Sequence, residues 1–137
     1  MAQLRSKYSQ AGLKFKDGST TIQDINNTDN GGVKPAVVAY AANGAISIYS
    51  HTAVITKGTA AAMTLAAPTA TTHDGVTITI VSDTAAAHTI TATTIGFNKG
   101  DAASDVATFT AAIGNTLQVV AYQGEWLVTG NINATLA

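Results

Sequence analysis

Val76-Thr77-Ile78-Thr79-Ile80 alternates β-branched apolar residues with threonines. Successive side chains of a strand point to opposite faces, so the stretch reads as a half-buried strand. Val76, Ile78 and Ile80 form its dry face, and Thr77 and Thr79 its wet one. Asp74-Gly75 before it and Ser82-Asp83 after it are turn signals. His88-Thr89-Ile90-Thr91-Ala92-Thr93 repeats the scheme, again with a threonine face.

Working outward, the same pattern predicts strands over Ala36–Tyr40, Ala45–Ile55, Ala62–Leu65, Val76–Val81, His88–Thr93, Val106–Thr110, Leu117–Tyr122 and Glu125–Thr129. Gly, Pro, Asn and Asp separate them at the intervals of a sandwich or barrel. Gln123-Gly124 between the last two marks a tight hairpin, with Gly124 supplying a positive φ. Helical periodicity is nowhere sustained. The expected fold is therefore all-β: one small antiparallel β-sandwich or barrel-like domain over residues 33–137, preceded by an extended N-terminal arm over 1–32. A faint echo relates Thr59-Ala60-Ala61-Ala62-Met63-Thr64-Leu65 to Thr84-Ala85-Ala86-Ala87-His88-Thr89-Ile90. Two copies imply two similar turn-then-strand units, whereas a solenoid needs at least three repeats.

The 137 residues include no cysteine, which excludes disulfides and thiolate metal sites. Charged residues are only 11% of the chain, and much of its 46% hydrophobic content is alanine. Typical domains carry about 25% charged residues. A surface so poor in charge is tolerable if it is rich in hydroxyls or largely covered by partners. No apolar run approaches the ~18–20 residues of a membrane span, and none follows the basic N-terminus as in a signal peptide. Synthesis in a cytoplasm, with no membrane partner, is the expectation.

The arm has its own character. Arg5, Lys7, Lys14 and Lys16 face no acid within residues 1–16, and Leu4, Tyr8, Leu13 and Phe15 are spaced among them. Such a segment can dock on an acidic protein surface, remain a solvated tail, or bind nucleic acid. The net charge of −1 and the acidic C-terminal half speak against nucleic acid. All eight residues are candidates for contact with a protein partner.

No constellation for catalysis emerges. Asp17, Asp24, Asp29, Asp74, Asp83, Asp101, Asp105 and Glu125 fall nearly all in turns, where a carboxylate commonly caps the backbone. His51, His73 and His88 are not spaced as metal ligands, and the His73-Asp74 pair is a weak metal signal. They read as surface histidines. Gly96-Phe97-Asn98-Lys99-Gly100-Asp101 lacks the context of a phosphate loop. Neither an enzyme nor a cofactor is expected. Phe97, Tyr122 and Trp126 are candidates for the core or an oligomer interface, Phe97 also as a loop anchor.

Met63-Thr64-Leu65-Ala66-Ala67-Pro68-Thr69-Ala70, then Asp74-Gly75-Val76-Thr77-Ile78-Thr79-Ile80-Val81-Ser82, then Ala111 to Val128 with Ala121-Tyr122-Gln123-Gly124-Glu125-Trp126, form a series similar to bacteriophage head decoration, or cement, proteins. The likeness covers about residues 58–130. It implies a homotrimer of β-rich subunits on the outer surface of a phage capsid, bridging neighbouring major capsid proteins, with no catalytic residues to carry over. Related β modules occur in tail fibres. The rival expectation is thus a receptor- or glycan-binding module of a tail fibre or baseplate, presenting Tyr40, Tyr49, Tyr122 and Trp126.

Overall fold

The computed structural model describes residues 14–17, 20–24, 35–98 and 105–137. The chain divides into two units, Met1–Pro35 and Ala36–Ala137. In the first, β1 (Lys14–Asp17) and β2 (Thr20–Asp24) pair antiparallel, with a register shift between Phe15 and Lys16. The described part of the expected extended arm is thus a hairpin. Leu4, Arg5, Lys7, Tyr8 and Leu13 lie outside the described residues.

The second unit is all-β. Its strands are β3 (Val37–Tyr40), β4 (Gly44–Ile46), β5 (Thr52–Ile55), β6 (Ala62–Leu65), β7 (Thr77–Ser82), β8 (Thr89–Ala92), β9 (Val106–Phe109), β10 (Thr116–Tyr122), β11 (Glu125–Ile132) and β12 (Ala134–Leu136). They form two five-stranded sheets, β11-β10-β7-β5-β3 and β12-β9-β8-β6-β4. The sheets are mixed where antiparallel ones were expected. β3, β5 and β7 run parallel in one sheet, and β4, β6 and β8 run parallel in the other. The remaining pairings are antiparallel.

The cause is the path of the chain. From β3 to β8 each strand is followed by one in the opposite sheet, so β3–β4, β5–β6 and β7–β8 are three successive windings. Parallel neighbours need a long crossover, and here the opposite sheet supplies it. A solenoid-like winding is present that two sequence copies could not establish; the first winding carries no trace of the echo. The echo also misplaces the register: it aligns Met63 with His88, whereas Met63 stands beside Ile90. After β8 the chain reverses, and β9 to β12 extend both sheets.

Strand bounds differ in two instructive places. The expected strand Ala45–Ile55 is broken, because Ser47 to His51 form a turn closed by Ser50 N–H on the Ser47 carbonyl at 2.9 Å. Ile46, Ser47 and Ile48 continue the alternation through it and hide it. β12 was not expected; Asn133 adopts φ +56°, and Asn131 bonds both backbone groups of Ala134. That turn carries the chain into the other sheet.

Alternation fills the space between the sheets. Ile78, Ile80, Leu117 and Val119 face inward from one sheet, and Met63, Leu65, Ile90 and Phe109 from the other, each at most 1% exposed. Trp126 is fully buried on β11, and its indole N–H donates to the Ala66 carbonyl at 2.9 Å. Phe97 is also fully buried. Its backbone bridges to Trp126, and Asn98 bonds the strand on both sides. Phe97 therefore belongs to the core of this unit and is not a contact left for a neighbour.

His88 corrects the surface reading. It shares the inward parity of Ile90 and Ala92 and is fully buried. Nδ1 accepts the Ala61 N–H at 3.0 Å, which puts the proton of the neutral ring on Nε2. Nε2–H then donates to Thr84 Oγ1 at 2.9 Å, whose hydroxyl donates to the Lys57 carbonyl at 2.7 Å. The chain of bonds ties the β5–β6 loop to the β7–β8 loop. Burial, aided by the Lys57 charge, lowers the pKa of His88 from 6.5.

Two outcomes follow. Trp126→Ala removes a filled core volume and should cost about 3–5 kcal/mol in urea unfolding, while Trp126→Phe, losing chiefly the bond to Ala66, should cost roughly 1–2 kcal/mol. Above pH 6.5 His88 is neutral folded and unfolded; below it the unfolded chain takes up a proton that the folded one resists. Stability should fall as pH drops from 6.5 toward the depressed value, and that loss should be absent in His88→Gln, as followed by melting across that window.

Candidate functional site

At one end of the sandwich the β4–β5 loop, the β6–β7 loop and the β10–β11 turn come together. The residues that carry the family resemblance meet here. Trp126 grips Ala66, and Gly124 lies against the Pro68 carbonyl and Ala70, 3.6 and 3.7 Å from where its Cβ would stand. The Leu-Ala-Ala-Pro segment, the Asp-Gly turn and the Gly-x-Trp turn are thus parts of one clasp.

Asp74 is its centre. Oδ1 accepts the Thr71 N–H at 3.2 Å and the Gln123 N–H at 2.7 Å, and Oδ2 accepts the Gln123 side-chain amide at 2.7 Å. Thr71 has φ +63° and Gln123 φ +51°, conformations unfavourable for residues with a Cβ, and more so for a β-branched one. One carboxylate therefore holds both strained residues by their N–H groups. The expectation of a turn-capping acid is met locally, but the partner across the clasp was not legible.

Beside the clasp, His73 Nδ1 accepts the Thr69 N–H at 2.8 Å, which leaves Nε2 carrying the proton of the neutral ring. That nitrogen lies 3.4 Å from the Tyr49 hydroxyl, and the rings meet edge to face, centroids 5.9 Å apart at 78°. Tyr49 is 71% exposed all the same. A shallow depression of about 250 Å³ adjoins it, lined by Ile48, Tyr49, His51, Gly75, Val76 and Thr77. Ile48 and Val76 pack on the core beneath. Gly75 needs its φ of +86°, and a Cβ there would meet nothing within 4 Å, so the floor stays open.

The remaining aromatic candidates separate. Trp126 belongs to the core, and Tyr40 is half-buried with its hydroxyl 2.8 Å from Ser50 Oγ. Tyr49 and Tyr122 are the exposed pair. Lys14, Phe15 and Lys16 lie on β1, registered with Asp24, Gln23 and Thr21. Among the described residues, no three His, Cys, Asp or Glu gather as metal ligands, and no helix is long and apolar enough to cross a membrane.

The strands of the second unit contain a single charged residue, Glu125. Lys57, Asp74 and Asp83 lie in loops. On the outer face of the first sheet, Val37, Tyr122 and Ile132 are 68%, 58% and 56% exposed. The outer face of the other is an array of Ala62, Thr64, Thr89, Thr91, Thr108 and Thr135, paired across four strands. The strands expected from the sequence already carry Glu125 alone; the structure adds which of their faces look outward.

Comparison with protein-family models gives no match, and comparison with curated proteins gives none either.

Asp74→Ala should lower the unfolding free energy by about 2–3 kcal/mol, since it releases two strained residues and three hydrogen bonds. Asp74→Asn, which keeps one acceptor oxygen, should lose less. Asp83→Ala, at an exposed loop position, should stay within about 0.5 kcal/mol in the same urea titration.

Proposed function

We propose that this chain is a bacteriophage head decoration protein. It binds the outer surface of the capsid as a homotrimer and bridges neighbouring major capsid proteins. It acts by adhesion, with no catalysis and no cofactor. The observation that carries the proposal is the near absence of charge from both sheets. Charged groups are depleted at the centres of protein interfaces because each would have to be desolvated. Two uncharged faces rich in Thr, Ala and Val, one with exposed Val37, Tyr122 and Ile132, suit contact with protein. Such faces lack the basic pattern that nucleic acid requires.

The resemblance over residues 58–130 supports the same reading and supplies the trimer and the shell. The mechanism is mechanical. A subunit set that spans a seam between capsomers adds buried area that must be re-exposed before the seam opens, at roughly 25 cal/mol per Å² of apolar surface. Three linked subunits raise the effective concentration of each contact, so weak contacts sum to firm attachment. The basic arm, with Arg5, Lys7, Lys14 and Lys16, would steer onto acidic patches of the shell.

The test is a copy count. Heads and tails from disrupted virions are separated on a gradient, and this chain is quantified against the major capsid protein by mass spectrometry. The expected result is hundreds of copies that travel with heads. A few copies travelling with tails would favour the fibre or baseplate module instead, and absence from both fractions would overturn the virion reading.

A further inference from the structure

We infer that the depression beside Tyr49 is a weak binding site for a neutral saccharide, with the Tyr49 ring as its platform. An aromatic residue 71% exposed on a loop would ordinarily sample several rotamers. Here the turn that carries it is closed by the Ser50 N–H on the Ser47 carbonyl, and the β6–β7 loop that faces it is fixed as well. His73 is held by the Thr69 N–H, its N–H bonds the Thr69 carbonyl at 3.0 Å, and its carbonyl takes the Val76 N–H at 2.9 Å. The His73 ring then holds Tyr49 at its hydroxyl end. Asp74 locks the adjoining residues to the β10–β11 turn. The cost of ordering the platform on binding is thus already met by the fold.

The lining selects the ligand class. It contains no Lys or Arg, so nothing in it compensates a phosphate, sulfate or carboxylate. It is shallow and not wholly apolar, since three of its six lining residues carry polar side chains. Ile48 and Val76 form an apolar floor, and the side chains of His51, Thr77 and Tyr49 place polar groups around it. A pyranose matches this: its axial C–H face is apolar and packs on an aromatic ring, while its equatorial hydroxyls need uncharged partners. About 250 Å³ of open space accommodates one such ring and its substituents. A small open site of this kind binds weakly, and useful attachment to a glycan surface would come from many copies acting together. The inference does not depend on the capsid reading, because it concerns the isolated chain.

The experiment is an NMR titration of the ¹⁵N-labelled full chain with the methyl pyranosides of glucose, galactose, mannose and N-acetylglucosamine. At least one should give saturable shifts with a millimolar Kd, confined to residues 48–51 and 73–77. Tyr49→Ala should weaken that binding at least about tenfold while the chain stays folded, with only a small fall in melting temperature from the lost contact with His73. Tyr49→Phe, which keeps the ring but loses the hydroxyl held by His73, should bind more weakly than the unaltered chain and more tightly than Tyr49→Ala. Absence of saturable shifts with all four sugars would overturn the inference, as would unchanged binding in Tyr49→Ala. Shifts at the same residues that depend on protein concentration alone would assign the depression to a protein contact and overturn it equally.

Discussion

Neither sheet of the second unit can form without the other. From β3 to β8, no strand reaches its hydrogen-bonded neighbour without passing through the opposite sheet. Backbone pairing in one layer therefore requires the winding that builds the second layer, and both require the inward rows of Ile, Leu, Val and Met to meet. Such an arrangement is rich in non-local contacts, which raises the loop-closure cost of folding and makes unfolding cooperative. Chain reversal at β9 then lets antiparallel strands complete both sheets.

The clasp at one end of the sandwich follows from that winding. The β6–β7 loop crosses between sheets and lands beside the β10–β11 turn, which allows Asp74 to reach Gln123 and Trp126 to reach Ala66. The strain at Thr71 and Gln123 is affordable because these bonds over-determine it. A rigid loop end with an exposed aromatic residue is the by-product, and the depression at Tyr49 is built on it. Rigidity there and neutrality on the sheet faces are separate features, one suited to a small ligand and the other to broad protein contact.

Polar groups inside the second unit are few and fully used. Ser50, Ser82, His88 and Asn115 are buried, and among the described residues no buried side-chain nitrogen or oxygen lacks a partner. The Asn115 side-chain amide donates to the Thr110 carbonyl at 2.6 Å, and its backbone carbonyl takes the Ser82 N–H at 2.9 Å. His88 and Asn115 both sit where a connection between strands leaves backbone groups that the ladders cannot satisfy. Filling those places with side chains keeps the interior dry without leaving orphaned donors.

The sequence by itself determined which side of each strand is dry. Period-two alternation at Val76 to Ile80 and Leu117 to Val119 is local, and burial of one face is its direct physical consequence. The Gln123-Gly124 hairpin was legible for the same reason, since positive φ and a two-residue turn are set by neighbours in the chain. The exposure of Tyr49 was not legible, because Ile46, Ser47 and Ile48 carry the strand alternation into the turn that holds it. Only the tertiary structure decided which strands stand side by side, that pairing runs parallel, and that His88 bridges two windings. It also decided that Asp74 grips a turn 49 residues away. Each of these depends on a partner distant in sequence, and alternation says which face is buried but not what it meets.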